Sequence, residues 1–258
     1  MIDNCALSVV VPTRNEAGNV EALVSRAATA LGTVTAGWEI LFVDDSDDAT
    51  PEVVQKLSSH GIPLKLLHRD KEARVGGLGG AVSEGFLVAR GEVIAVMDGD
   101  LQHPPEVLPA LVAPILSGEA DLAVGTRRGL GGSDEGLEGP WRHAVSCSCR
   151  WLVHALVPRS RSVEDPLSGL FALRRSVIEN VGLQPEGFKI LLEVVARGDW
   201  ASVANIPFAF AKRHAGNSKA DLHEGLVFLR HLPRCARATR PPKSPPGSAV
   251  TPRGYWRA

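Results

Sequence analysis

The stretch Val93-Ile94-Ala95-Val96-Met97-Asp98-Gly99-Asp100-Leu101-Gln102-His103 decides how this chain reads. The apolar run from Val93 to Met97 predicts a buried strand, and two carboxylates follow it at once, one residue apart. Carboxylates buried without partners are costly, so the spacing puts Asp98 and Asp100 at the strand's C-terminal end, facing a cleft. Oxygen donors spaced this way suit a hard divalent cation, Mg²⁺ or Mn²⁺, which usually shares its shell with substrate phosphates. The stretch therefore points to an enzyme that handles a phosphate-bearing substrate.

Working outward, the same grammar recurs on both sides. Leu7 to Val11 is a β-branched run that Pro12 is expected to stop, and Asn15 to Leu31 follows with helical spacing at Val20, Leu23, Val24, Ala27 and Leu31. Trp38 to Val43 predicts a second strand, closed by Asp44-Asp45-Ser46-Asp47-Asp48. Thr50 then caps a helix with Pro51 at its first position. Leu64 to His68 is a third strand. Gly76 to Gly80 reads as a flexible loop opening a helix to about Ala89, Pro105 to Ser117 as a further helix, and Asp121 to Gly125 as a fifth strand. Strands alternating with helices predict an α/β fold with a mainly parallel central sheet flanked by helices. Ligands bind such sheets at the carboxyl ends of the strands, and Pro12, the Asp44–Asp48 cluster and the Asp98/Asp100 pair all fall there.

Gly129 to Gly139 reads as a surface loop. Residues 140–157 carry an apolar face broken by Arg142 and Arg150, Phe188 to Ala196 is helical, and Leu222 to Leu232 is a last helix that Pro233 is expected to end. Beyond it, Pro241, Pro242, Pro245, Pro246 and Pro252 predict a disordered tail. The expected organisation is a catalytic domain over residues 1–220, an amphipathic and membrane-interfacial or core-packed helix over 221–240, and a Pro-rich tail over 241–258.

A net charge of −1 argues against general nucleic-acid binding. Cys5, Cys147, Cys149 and Cys235 form no CxxC pair and no secretory signal precedes the first strand, so a reducing cytoplasm is the default. No apolar run reaches the roughly 20 residues of a membrane span, so membrane contact is expected to be peripheral.

Seven stretches together resemble a known family. They are Val11-Pro12-Thr13-Arg14-Asn15-Glu16, Val43-Asp44-Asp45-Ser46-Asp47-Asp48-Ala49-Thr50, Gly77-Leu78-Gly79-Gly80-Ala81, Met97 to Glu106, Gly125-Thr126-Arg127, Asp165-Pro166-Leu167-Ser168-Gly169-Leu170-Phe171, and Arg213-His214-Ala215-Gly216-Asn217-Ser218-Lys219. In this order they resemble the family 2 glycosyltransferases of GT-A fold, and within them the polyprenol-phosphate (dolichol-phosphate) mannosyltransferase group. Two departures stand out. The acidic stretch after the second strand is one residue shorter than the usual form, and Asn205 stands where a glutamate commonly precedes the Val/Ile-Pro pair.

The resemblance implies an inverting transfer of a hexose, mannose from GDP-mannose in the first instance, onto a polyprenyl or dolichyl monophosphate at the cytoplasmic face of the membrane. UDP-glucose or UDP-GlcNAc as donor, a different acceptor, or a catalytically silent nucleotide-binding domain are the alternatives. A membrane-anchoring partner subunit is a further partner the resemblance allows. It implies donor binding by Pro12, Asn15, Glu16, Asp44, Asp45, Gly77, Asp98 and Lys219, with Gly79 beside Gly77 allowing close backbone approach. It assigns Asp98, Asp100 and Gln102 to the metal, the three alternating along an extended segment. It gives the acceptor phosphate to Arg127, Arg142, Arg213 and Ser146, with Asp98, Asp100, Arg127 and Arg213 as the catalytic set. Asp165 would orient one of the arginines or bind the donor sugar, and Glu193 would make a structural salt bridge.

Overall fold

In the first strand, residues alternate between two cores. Leu7, Val9 and Val11 enter one apolar cluster and Val10 enters the other. The same two-residue period recurs in the next strands: Ile40 and Phe42 against Leu41 and Val43, then Val93 and Ala95 against Ile94 and Val96. Strands apolar on both faces need a layer of helices on each side, and that is the architecture of the computed structural model. It describes residues 5–128, 132, 140–184, 187, 189–211 and 222–238, with 140–146, 222–224 and 226 described by backbone alone.

The strands are β1 (Cys5–Thr13), β2 (Gly37–Asp44), β3 (Leu64–His68), β4 (Val93–Val96), β5 (Leu122–Thr126), β6 (Phe171–Arg174) and β7 (Val203–Pro207). They form one sheet in the order β3-β2-β1-β4-β6-β5-β7. The helices are α1 (Ala17–Leu31), α2 (Thr50–Ser58), α3 (Gly77–Val88), α4 (Leu108–Leu116), α5 (Pro140–Leu156), α6 (Ile190–Arg197) and α7 (Leu222–Ala238). Helices α1, α2 and α4 cover one face; α3 and α6 cover the other. A third cluster, with Val153, Leu192, Phe228 and Leu232, packs α5 and α7 against α6.

The sheet is mainly parallel, as expected, but β6 runs antiparallel between β4 and β5. Neither β6 nor β7 was legible in the sequence, since four or five residues leave too short a pattern to separate a strand from a loop. The reversal of β6 matters for the site. Phe171, at its start, pairs with Val96 at the end of β4, so the loop leading into β6 lands on the residues that follow Val96.

Four local expectations are corrected. Pro12 does not stop β1, which continues to Thr13. Val10 O accepts from Met97 N on the β4 side, pairing with β4 ends at Val10, and Pro12 faces that same side, where no donor is needed. Helix α2 opens at Thr50 itself, because Asp48 Oδ1 accepts from both Thr50 N and Thr50 Oγ1. Helix α3 already begins at Gly77, so most of the supposed Gly-rich loop is its first turn; a Cβ on Gly80 would overlap the Val75 carbonyl. Pro233 lies inside α7, which runs on to Ala238. Proline in a helix costs roughly 3 kcal/mol, and here burial of Phe228, Leu232 and Cys235 against α5 and α6 offsets it while Pro233 faces solvent.

Candidate active site

Polar residues gather where β1, β2, β4, β5 and β7 end and β6 begins. Asp98 and Asp100 leave β4 in a turn rather than in the extended segment expected, because Leu101 takes a left-handed backbone (φ 62). Such a conformation in a non-glycine residue costs on the order of 1 kcal/mol and recurs at functional sites. Gln102 N donates to Asp100 Oδ1 at 3.1 Å. Asp100 is 9% exposed, whereas the Asp98 side chain is one-third exposed. Two carboxylates and an amide make an all-oxygen donor set, which suits a hard dication that completes its shell with water and phosphate.

The loop before β6 closes over Asp98. A Cβ on Gly169 would overlap Asp98 Oδ2 and lie 3.0 Å from Oδ1, so only glycine leaves the carboxylate in place. Gly169→Ala is therefore expected to turn Asp98 aside and lower any activity that rests on this carboxylate by about 10²-fold, the usual scale for a displacement of about 1 Å. Thermal unfolding should barely change. Initial rates beside a melting curve check both, and an unchanged rate would mean that the position of Asp98 is not critical.

The nucleotide side expected at β1 and β2 is built largely of internal bonds. Asp44 is fully buried and accepts from Thr13 Oγ1 (2.7 Å), Ser46 Oγ (2.5 Å) and Ser46 N (3.2 Å), with His68 Nδ1 at 2.7 Å. Asp45 takes both forks of Arg69, Nε at 2.7 Å and Nη2 at 2.6 Å. Arg69 also donates to Glu84 and to the Gly77 carbonyl, which ties Asp45 to the start of α3. Both carboxylates thus have protein partners. Asn15, at φ 57, accepts from Asp47 N and donates its own N–H to Ser46, so it stitches the loop after β1 to the loop after β2. Glu16 Oε2 accepts from Asn19, and Glu16 N donates to Thr50. Asp47 pairs with Arg74 on the surface.

At the β5 end, Arg127 donates through Nε (3.1 Å) and Nη2 (3.0 Å) to Asp165 Oδ2, and its guanidinium lies 5.4 Å from the centre of the Phe210 ring. Of the two roles open to Asp165, the structure places it on Arg127. Arg142 and Ser146 lie on α5 where only the backbone is described; Arg213 and Lys219 lie outside the described residues. Glu193 is fully buried and pairs with Arg197 and His231. Asn205 accepts from Glu164 N and donates to Ser162 O, so this departure from the family pattern holds the segment just before Asp165.

Two residues near Asp98 escaped the sequence reading. His103 is buried between Phe208 and Phe210, with Nδ1 3.4 Å from Asp98 Oδ2. Burial drives its pKa down to about 4, with Arg127 adding to the effect and Asp100 opposing it, so the ring is neutral near pH 7. Lys189 donates to Leu167 O at 2.9 Å in the loop that carries Gly169. Burial lowers its pKa to about 8 against the pull of Asp165 and Asp98, so most of its charge is kept near pH 7. The signal for Lys189, a lone cation opening an apolar helix, is too common to single out. His103 stood in the opening stretch without a role.

Residues 8–182 match the model of the family described as glycosyl transferase family 2. Among curated proteins, the chain is 43% identical over 229 residues to a dolichol-phosphate mannosyltransferase of Pyrococcus furiosus, covering 88% of this chain and 63% of that protein, so it spans under two-thirds of that relative's length. It is 35% identical over 237 residues to a dolichol-phosphate mannosyltransferase of Mycosarcoma maydis, covering 87% of this chain and 76% of that protein. Among solved structures, glucosyl-3-phosphoglycerate synthase from Mycobacterium tuberculosis, in complex with Mn²⁺, uridine diphosphate and glucosyl-3-phosphoglycerate, superposes with a TM-score of 0.63 at 23% identity, over 90% of this chain and 78% of that one. The fold is the GT-A fold that the motifs implied, with Asp98 and Asp100 just after the central strand β4 and Arg127 just after β5. The chain belongs to glycosyl transferase family 2.

Proposed function

We propose that this protein transfers a hexose, mannose from GDP-mannose in the first instance, onto the phosphate of a polyprenyl phosphate with inversion at the sugar carbon. The observation that carries this reading is that Asp98 and Asp100, after β4, and the Asp165-held Arg127, after β5, come to the same edge of the sheet around the buried His103. The similarity to two dolichol-phosphate mannosyltransferases supports the substrate class.

Asp98 and Asp100, with Gln102, would hold Mg²⁺ or Mn²⁺, which when bound neutralises the diphosphate leaving group. Pro12, Asn15 and Glu16 would line the nucleotide pocket, with Asp44 and Asp45 bracing its wall and the backbone at Gly77 approaching the donor. Arg127 would hold the acceptor phosphate, joined by Arg142, Ser146 and Arg213, with Lys219 on a phosphate. Arginine suits that work because its planar fork meets phosphate oxygens bidentately. A phosphate oxygen is already anionic and nucleophilic, so positioning and charge stabilisation suffice without a strong general base. The neutral His103 packs against Phe208 and Phe210 beside Asp98.

No helix among the described residues is long and apolar enough to cross a membrane, so the lipid acceptor would be met at a membrane surface. Leu156 on α5 and Leu229 on α7 are exposed apolar side chains suited to that contact. The test is full-length protein with labelled GDP-mannose, Mg²⁺ or Mn²⁺, and polyprenyl phosphate in detergent. Lipid-linked mannose is the expected product. UDP-sugars run in parallel separate the donor alternatives, and no lipid-linked sugar from any donor would sink the proposal.

A further inference from the structure

A second group of metal-ligating side chains lies behind the active site, between α6 and α7. Glu193 Oε1 is 2.6 Å from His231 Nε2 and 3.3 Å from Cys235 Sγ, and Cys235 Sγ is 3.4 Å from His231 Nε2. Among the described residues it is the one cluster of three such side chains able to hold an ion, and all three are buried. We propose that Glu193, His231 and Cys235 bind a zinc ion that fastens α7 to α6.

The geometry supports this on three counts. A triangle with those sides has its centre about 1.8 Å from each corner, so an ion roughly 1 Å out of its plane reaches all three atoms near the 2.0–2.3 Å zinc prefers. His231 and Cys235 are one helical turn apart on α7, which holds both donors on one face while Glu193 meets them from α6. The imidazole is also held from that side alone: His231 Nδ1 is buried with no hydrogen-bond partner among the described residues, so the ring's polar engagement is through Nε2, towards the cluster.

The donor set distinguishes this site from the one at Asp98. Thiolate and imidazole select zinc or cobalt, whereas the carboxylates of Asp98 and Asp100 suit Mg²⁺ or Mn²⁺. On binding, the Cys235 thiol and His231 Nε2 release their protons to solvent as the Sγ–Zn and Nε2–Zn bonds form. Glu193 Oε1 becomes the third ligand, and water takes the fourth position. The carboxylate keeps its other oxygen, Oε2, on Arg197 Nε (2.6 Å) and Gln184 N (3.1 Å). Two anionic ligands then balance the dication and Arg197 retains its partner. Leu152, Val153 and Leu192 from α5 and α6, with Phe228 and Leu232 from α7, enclose the site in apolar surface. Helix α7 begins directly after the segment carrying Arg213 and Lys219, so the tie would anchor the end of that segment.

The test uses the full chain, stripped by chelator and titrated with CoCl₂ and with ZnCl₂. One thiolate-bound cobalt per chain, read from its thiolate-to-metal charge-transfer band, is expected, as is a higher melting temperature with zinc. Cys235→Ser should lose the band and weaken zinc binding at least about 100-fold. Asp100→Asn and Cys147→Ser should keep both. Glu193→Gln serves as a second variant if Cys235→Ser does not fold. A wild-type protein without the band, or a band that survives in folded Cys235→Ser, would overturn the proposal.

Discussion

Asp100→Asn is expected to lower the proposed sugar transfer by about 10³-fold while leaving the fold intact. Asparagine keeps the size of the side chain and an oxygen for the Gln102 N–H that Asp100 now accepts. It removes the charge that would help hold a dication against a diphosphate. A cation's stabilisation of a leaving phosphate is worth several kcal/mol, and about 4 kcal/mol corresponds to about 10³ in rate. The effect should sit mostly in kcat, because the charge it meets develops as the bond breaks. Initial rates of lipid-linked sugar formation, read beside circular dichroism and thermal melting, check it. A variant within threefold of wild type would remove Asp100 from the catalytic set and favour the silent nucleotide-binding alternative.

Arg69→Met is expected to destabilise the fold by about 3–5 kcal/mol, the cost of breaking a buried ion pair from one side. The Arg69 side chain is 1% exposed and holds Asp45 by two short bonds, together with Glu84 and the Gly77 carbonyl. Methionine fills much of the volume but leaves a nearly buried carboxylate without its counter-charge. Since domains of this kind are stable by only about 5–15 kcal/mol, the loss should be plain in a urea melt. Adding Asp45→Asn should recover part of it, because the uncompensated charge goes with it; the double-mutant cycle measures the coupling. A single-variant loss under about 1 kcal/mol would show that solvent reaches Asp45 and that the pair contributes little.

The two variants probe parts of the site that were unequally legible. Asp98 and Asp100 announced themselves because a polar pair after an apolar run is a local signal. Arg69 gives the same signal, one residue after the strand Leu64–His68, and could have been found by the rule applied to the other strand ends. Asp44 and Asp45 were located correctly at the end of β2, but their orientation was not in the sequence. A carboxylate at a strand end can face ligand or protein, and the choice depends on whether His68 and Arg69 arrive from β3. The helical spacing of α1 was readable for the same reason as the strands, since a period of 3.6 needs only its own residues. Pro233 misled because its local rule was right and tertiary burial outweighed it.

By itself the sequence determined the α/β class, the order of most elements, the family, and the carboxylate pair at the heart of the site. Each of these rests on patterns within about fifteen residues or on motifs in fixed order. Only the tertiary structure decided that β6 enters antiparallel and lays Gly169 on Asp98, that Asp165 holds Arg127, and that Glu193 meets His231 and Cys235 between two helices. The physical reason is the same in each case. Periodicity records whether a residue is buried, but the partner that buries it lies tens of residues away and is chosen by how the sheet is ordered and how the helices pack across it.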